Sequence, residues 1–302
     1  MPNSNPIDLF KTVLYTFFAL VAFAANSVLC RLALEMQVDG PAIDAGSFTS
    51  IRLVSGIVTL MVILQLTQSS SNKHSTSKGK RQGSWFAAAM LFIYAAGFSY
   101  AYISLETGTG ALILFGVVQL TMISVTIYAG NKLHYSEWLG VGLAFIGFVY
   151  LMLPGVSAPS LQGLILMTLS GIAWGYYTLA GKGSKNPLAD TGYNFLRTLP
   201  FVVILIALNF DKVYLTEQGI YLAIASGAIT SGLGYTIWYI ALRALQTMQA
   251  AVLQLLVPVI AAIGGVIFVD ELLTSRIVIS ALLILGGILL VVIGKKVLSA
   301  NA

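Results

Sequence analysis

The sequence contains one 40-residue pattern twice, as ALILFGVVQLTMISVTIYAGNKLHYSEWLGVGLAFIGFVY at residues 111–150 and as AAVLQLLVPVIAAIGGVIFVDELLTSRIVISALLILGGIL at residues 250–289. The offset is 139 residues without a gap, and it aligns Leu114 with Leu253 and Gly147 with Gly286. Because the register is kept across two apolar runs, we interpret the pattern as a duplicated two-helix unit.

Composition places the chain in a membrane. Of its 302 residues, 58% are hydrophobic and 9% are charged, and the mean hydropathy is +0.89. A water-soluble surface cannot be assembled from so few polar side chains. Cys30 is the single cysteine, which excludes an intramolecular disulfide and a cysteine-based zinc site. His74 and His134 fall in connecting segments, so we expect no metal centre and no cofactor.

Ten apolar runs approach the roughly 20 residues that a helix needs to cross a bilayer. Backbone polar groups in lipid are satisfied only within a helix or by barrel closure, and runs without alternation do not fit barrel strands. The predicted fold class is therefore an all-α integral membrane protein with ten transmembrane helices. The runs lie near residues 11–30, 47–66, 85–103, 110–129, 137–153, 162–181, 191–209, 219–241, 248–268 and 275–294.

The first run also has features of a cleaved signal peptide, since Lys11 precedes an apolar stretch that contains Ala22-Phe23-Ala24. A retained helix is the better interpretation. The run stays apolar through Leu29, and at an offset of 151 residues the sixth run matches it, with Arg31 opposite Lys182.

Basic residues predict the orientation, because short cytoplasmic loops of membrane proteins are rich in Lys and Arg. With both termini in the cytoplasm, the inner side holds eleven basic residues and the outer loops hold three. The inner set includes the serine-rich connection 67–84, and the net charge of +5 needs no nucleic-acid partner. The inner residues are Lys11, Lys73, Lys78, Lys80, Arg81, Lys132, Lys182, Lys185, Arg243, Lys295 and Lys296, and the outer ones are Arg31, Lys212 and Arg276.

Five runs in each half imply inversion, because an odd number makes the second copy enter the membrane from the opposite side. We place the two five-helix repeats at residues 1–157 and 158–302. Inverted repeats are common in secondary transporters, in which the halves open a central site alternately to either side.

The whole chain resembles EamA-type carriers of the drug/metabolite transporter superfamily. This resemblance implies two five-helix repeats and transport of a small metabolite, plausibly export of an amino acid or a related amphipathic compound. It rests on Asn26-x4-Arg31, on Trp174-Gly175 with Lys182, on Ala250-x3-Gln254-x3-Pro258, on Asp270-Glu271-Leu272 and on Gly286-Gly287.

The first repeat departs from the family pattern at Gln119, where proline is common, and at Lys132, where glutamate is common. Pro258, which aligns with Gln119, lacks an amide hydrogen and releases the carbonyl of Gln254. Gln119 and Gln254 are expected to line a polar cavity, because an amide facing lipid has no partner. Pro258 either bends a helix beside the site or serves packing alone.

Two arginines lie inside predicted helices, whereas no Asp or Glu lies deep in any of them, which argues against a simple buried carboxylate relay. Arg52 and Arg197 match at an offset of 145 residues. They either extend to the membrane surface as anchors or attract an anionic substrate group at the two mouths of the pathway.

Aromatic residues inside the sixth and eighth runs are further candidates for the site. Trp and Tyr are common at membrane interfaces, but Trp174 and Trp238 lie deeper and could stack on a ligand. The candidate substrate-binding residues are Asn26, Gln119, Trp174, Tyr177, Tyr235, Trp238 and Gln254, with core packing as the alternative for the aromatic ones.

The motifs of hydrolases and of ATP-driven pumps are absent: the sequence has no Gly-x-Ser-x-Gly, no His-Glu-x-x-His and no phosphate-binding loop with Lys. We therefore expect no enzyme. The predicted function is a secondary transporter in the cell (inner) membrane whose partners are the lipid bilayer and a small-molecule substrate. A non-transporting membrane scaffold or receptor is the alternative.

Overall fold

A computed structural model describes residues 6–35, 40–70, 83–130, 134–153, 158–181, 184–242, 244–245 and 253–299. Most of the basic connection at residues 67–84 lies outside the described residues. So do Lys132, Lys182 and Arg243, on which part of the predicted orientation depends.

Six long helices make up the first part of the chain, and each covers one of the predicted apolar runs. Thr107 begins the fourth helix, and a side-chain cap at Ser84 fixes the start of the third, where its hydroxyl accepts a hydrogen bond from the amide of Ala87. The helices are α1 (Pro6–Leu34), α2 (Ala45–Ser70), α3 (Trp85–Tyr102), α4 (Thr107–Tyr128), α5 (Tyr135–Met152) and α6 (Leu161–Gly181).

The helices that follow are interrupted. The seventh run is α7 (Pro187–Leu196) and α8 (Leu199–Leu208), which are separated at Arg197 and Thr198, just before Pro200. The eighth is α9 (Glu217–Ile224), a π-helix (Ala225–Leu233) and α10 (Gly234–Leu242). After a turn at residues 255–256 come α11 (Val257–Phe268) and α12 (Ser275–Ser299), with Pro258 in the first turn of α11.

Eight helical segments in the described part of the chain are long and apolar enough to cross a membrane. Two of these are the interrupted seventh and eighth runs, and α11 and α12 add two shorter apolar helical stretches. The protein is thus an all-α, multi-pass membrane protein.

Packing brings the interior of the bundle together from both parts of the chain. Helix α3 packs along α6, and α1 packs along α9, the π-helix and α10. Helix α4 contacts both α6 and α11, while α2 contacts the π-helix and α7. The pair α5 and α12 stands to one side of this group and forms its most extensive contacts with each other and with α4.

Small residues set the distance between α5 and α12. A side chain at Gly287 would place its Cβ 2.5 Å from the carbonyl oxygen of Gly140 and 2.6 Å from the amide nitrogen of Ala144. Backbone-to-backbone contact of this kind is the usual way in which membrane helices gain packing energy. A Cβ added to the adjacent residue, Gly286, would meet no atom of another described element within 4 Å.

This difference predicts that Gly287→Ala destabilises the protein and that Gly286→Ala does not. Overpacking at Gly287 is expected to lower the free energy of unfolding by about 1–3 kcal/mol. The measurement is the apparent melting midpoint in detergent, followed by fluorescence-detected size exclusion. Equal midpoints for the two variants would contradict the close approach of α5 and α12.

Candidate functional site

Three aromatic side chains stack in the interior where α6 meets α10. The indole of Trp174 lies 5.1 Å from the ring of Tyr177 and 5.5 Å from the ring of Tyr235, each at an interplanar angle of 27°. Tyr94 of α3 adds a third contact at 4.5 Å. The stack joins three predicted site residues, and such rings offer broad apolar faces with polar tips.

Phe23 of α1 extends this cluster to Trp238. Its ring lies 5.7 Å from Tyr235 and 5.7 Å from Trp238, which is buried on α10. Asn26 lies almost one turn further along α1. Its Oδ1 accepts hydrogen bonds from the hydroxyls of Ser226 (2.6 Å) and Thr230 (3.2 Å) of the π-helix.

The π-helix that binds Asn26 of α1 also passes very close to α2. A Cβ at Gly227 would overlap the hydroxyl of Ser55 and the carbonyl oxygen of Arg52, so only glycine fits there. Thr230 also donates to the carbonyl of Ser226 (2.6 Å). Segments of π-helix inside α-helices are frequently found at functional sites.

Arg52 lies inside the bundle and does not extend to its surface, since its side chain is only 2% exposed. Its Nη2 donates to the hydroxyl of Tyr94 (3.0 Å). Its guanidinium carbon lies 5.3 Å from the centre of the Tyr94 ring and 4.9 Å from that of Phe98, which are cation–π distances. Nη1 is buried without a hydrogen-bond partner among the described residues.

The remaining predicted residues lie on other elements than those that carry the aromatic cluster. Gln119 is buried on α4, Gln254 is partly buried before the turn that leads into α11, and Pro258 is buried in the first turn of α11. Arg197 is half-buried at the α7–α8 break, where its Nη1 donates to the carbonyl of Tyr193 (3.1 Å).

A polar network closes one end of the bundle. The carboxylate of Glu271 accepts the amide of Thr107 (2.8 and 2.9 Å), the hydroxyl of Thr107 (3.0 Å) and Nε of Arg31 (3.2 Å). An anion at a helix N-terminus is favoured by the free amides and the helix dipole, and Thr107 begins α4. Glu271 thereby links α1, α4 and the connection after α11.

Local backbone geometry puts Glu271 in this place. Helix α11 ends at Phe268, and Asp270 adopts a φ of 55°, in the left-handed region. That turn lets the amide of Glu271 donate to the carbonyl of Gly265 (3.2 Å), as in helix C-terminal motifs.

A second set of contacts closes the same end. The carboxylate of Asp44, before α2, accepts the amides of Ser47 (2.9 Å) and Tyr214 (2.9 Å). An antiparallel bridge joins Ile43 to Leu215 beside it. The connection before α2 is therefore attached to the connection before α9.

The described residues contain no group of three or more His, Cys, Asp or Glu able to hold a metal ion. The interior cluster instead offers an amide, hydroxyls, aromatic rings and one cation. Groups of this kind can bind and orient a small amphipathic molecule.

Comparison with known proteins finds similarity to membrane transporters. The profile of the EamA-like transporter family matches residues 161–293. An uncharacterised protein of Pseudomonas aeruginosa is 46% identical over 93% of this chain and 94% of its own length. The threonine/homoserine exporter RhtA of Escherichia coli K12 is 28% identical over 57% of this chain and 58% of its own. An uncharacterised transporter of Archaeoglobus fulgidus is 27% identical over 66% of this chain and 73% of its own.

The chain belongs to the EamA-like transporter family.

A crystal structure of a protein 15% identical to this EamA-like carrier gives a TM-score of 0.64 over 93% of this chain and 96% of the other. At that identity the match concerns the fold alone. The family and its superfamily, which the sequence motifs predicted, are thus confirmed, and the protein is a membrane transporter.

Several residues of the cluster in this EamA-like carrier were not among the sequence candidates. They are Phe23, Tyr94, Phe98, Ser226 and Thr230. Ser226 and Thr230 carried a usable signal, since two hydroxyls four residues apart in an apolar helix share a face. Tyr94 and Phe98 have the same spacing on α3.

The network at Glu271 predicts a specific loss of stability in the EamA-like carrier. Glu271→Gln removes the charge that Arg31 and the amide of Thr107 bind, and we expect a decrease of about 2 kcal/mol in the free energy of unfolding, as for hydrogen bonds to charged groups. The melting midpoint in detergent measures this.

Glu106→Gln is the matched control, because Glu106 lies beside the network of Glu271, Thr107 and Arg31. Burial and the nearby Glu271 carboxylate raise the pKa of Glu106, so the fold disfavours its ionised form. Removal of that charge at pH 7.5 is expected to leave stability unchanged or slightly higher. A loss as large as that of Glu271→Gln would show that the network has been misassigned.

Proposed function

We propose that this EamA-like carrier exports small amphipathic metabolites, amino acids or close relatives of them, by alternating access. The observation that carries the proposal is the cluster of buried Asn26, Tyr177, Tyr235 and Trp238 around the partly buried Trp174, which combines aromatic faces with hydrogen-bonding groups. The relative named as a threonine/homoserine exporter supports amino acids as the substrate class.

Alternating access requires two halves that exchange conformations, and the packing of the helices supports such halves. In the proposed repeats, residues 1–157 and 158–302, α3 and α6 correspond to the eighth and first runs. The contact of α3 with α6 therefore has its counterpart in the contact of α1 with α9, the π-helix and α10. The contact of α4 with α6 corresponds in the same way to that of α11 with α1.

The same relation pairs α5 with α12 and α4 with α11, and both pairs are in contact. Eight candidate spans and two shorter apolar stretches also support a count of ten transmembrane helices. Together with the basic residues on one side, this count supports the cell (inner) membrane as the location, with both termini in the cytoplasm.

In this proposal the end closed by Glu271 and Asp44 is the outer end, because it contains the connections with few basic residues. Gln119 and Gln254 line the pathway beside the aromatic cluster. Pro258 allows α11 to bend at its first turn. Arg197 lies at the inner mouth of the pathway, where it attracts an anionic group of the substrate.

Counterflow into proteoliposomes separates a carrier from a scaffold or receptor. Vesicles loaded with unlabelled L-threonine, L-homoserine, L-leucine, L-phenylalanine or L-tryptophan are diluted into the labelled compound. A carrier gives transient, saturable accumulation of at least one compound, whereas a scaffold gives none.

Removal of an aromatic face from the cluster is expected to weaken transport while the protein stays folded. We expect Trp174→Ala and Trp238→Ala to raise the half-saturating substrate concentration about fivefold, since stacking on one ring contributes about 1 kcal/mol beyond buried area. Gln119→Ala should also alter affinity or flux.

Trp138→Ala is the control, because Trp138 is exposed on α5, away from the cluster. All variants are first checked by size exclusion and far-UV circular dichroism. Wild-type kinetics in Trp174→Ala and Trp238→Ala would remove these residues from the site.

Cys30 provides a reporter of opening, because it is the single cysteine and is fully buried one residue before Arg31. In whole cells a membrane-impermeant maleimide should react slowly with the wild type. It should react several-fold faster with Glu271→Gln, which lacks the charge that closes the outer end.

A transported substrate should also change the labelling rate, because it shifts the population of outward-open protein. Complete labelling after denaturation shows that the thiol is intact. If neither the substitution nor the substrate changes the rate, the outer end does not open in the manner proposed.

A further inference from the structure

The interior of the bundle contains a buried cation with an unsatisfied donor. Arg52 is the eighth residue of α2, about 10 Å along the helix axis from its first residue. Its guanidinium can donate five hydrogen bonds, and Nη1 has no partner among the described residues.

No acidic residue of the described chain is seen to pair with Arg52. The titratable groups that interact with it there are the phenols of Tyr94 and Tyr235 and the thiol of Cys30. The ion pairs that Arg31 forms with Glu35 and with Glu271 lie at the end of the bundle and do not include Arg52. A buried cation normally has a paired anion, because desolvation of an isolated charge is very unfavourable.

Contacts with aromatic rings satisfy only part of the guanidinium. Tyr94 and Phe98 lie at cation–π distance, and Tyr94 also accepts from Nη2. Within the described chain, the edge that carries Nη1 stays without an acceptor. The planar fork of arginine is well suited to bind a carboxylate along such an edge.

Tyr94 also connects this edge to the proposed binding cluster, because its ring lies 4.5 Å from the indole of Trp174. A bound molecule that stacks on Trp174 and Tyr235 therefore lies beside Arg52. One guanidinium can pair with one carboxylate group, whereas a phosphate dianion would leave an uncompensated negative charge in the membrane interior.

We propose that Nη1 of Arg52 binds the carboxylate of the transported metabolite, so that the carrier selects free carboxylic acids over their neutral or amidated derivatives. This inference rests on the proposed function, because it assigns one end of the same substrate. Arg52 is then a specificity-determining residue, and its aromatic neighbours hold the guanidinium in place between transport events.

The test compares acids with their amides. Purified protein is titrated with L-threonine, L-homoserine, L-leucine, L-phenylalanine and L-tryptophan and with the α-amide of each, by thermal shift, and the same compounds compete in counterflow. At least one acid should bind, with its amide at least tenfold weaker.

Arg52→Lys keeps the charge but loses the fork, and it should weaken binding of that acid at least tenfold while changing binding of the amide less than twofold. Arg52→Met should abolish the discrimination between acid and amide. Arg276→Lys is the matched control outside the cluster, and it should behave as the wild type. Circular dichroism and size exclusion verify that each variant is folded.

The outcomes separate this inference from the function on which it rests. If the wild type exchanges amides as well as acids, or if Arg52→Lys binds the acid as the wild type does, the transporter proposal stands and the role of Arg52 is overturned. Stabilisation by chloride alone, with no acid bound, also overturns it. If the wild type neither binds nor exchanges any of the ten compounds, amino-acid transport fails and the inference fails with it.

Discussion

Hydrocarbon offers no hydrogen-bonding partner, and this constraint governs every polar group in the bundle. Hydroxyls within helices donate to the carbonyl one turn earlier, as Thr49 does to Ala45 (2.7 Å) and Ser99 to Ala95 (3.0 Å). The amide oxygen of Asn26 is satisfied by Ser226 and Thr230. The charged pairs of Arg31 with Glu35 and Glu271 lie at the ends of helices. Among the described residues, four buried polar atoms have no hydrogen-bond partner: the hydroxyls of Thr16, Tyr177 and Ser280, and Nη1 of Arg52, which alone among them belongs to a charged group.

The two parts of the chain differ in the continuity of their helices. Helices α2, α3 and α4 are continuous. The runs that would correspond to them in a second repeat are broken at residues 197–198, converted to a π-helix at residues 225–233 and turned at residues 255–256. Each interruption frees backbone groups that need other partners, and discontinuous helices in carriers typically occur where substrates bind. The π-helix supplies the partners of Asn26, so one of these interruptions directly forms the cluster.

The chain's composition and its apolar runs predicted the all-α membrane class, because both depend on the average chemistry of long segments. The family was predictable because its motifs are local in sequence. The relation of Arg52 to Tyr94 was not predictable, since it depends on the rotation of α2 against α3, which apolar residues on every face of a helix leave undefined. Glu271 was noted only as part of a motif, because its role depends on a left-handed turn at Asp270 and on a helix 164 residues away in sequence. The positions of Trp174 and Tyr235 in one stack likewise depend on the packing of α6 near α10.

Arg52 contributes little to stability by its own contacts, which favours a role in binding. A central arginine costs about 3 kcal/mol on insertion scales. A desolvated cation–π contact returns about 2 kcal/mol, and the two rings share one guanidinium, so the two contributions do not simply add. The balance is close to zero, whereas an apolar residue of similar size would incur no desolvation penalty. The charge of Arg52 gives no net stability, and its unpaired donor lies beside an aromatic stack. A ligand whose carboxylate pairs with this guanidinium explains both features best.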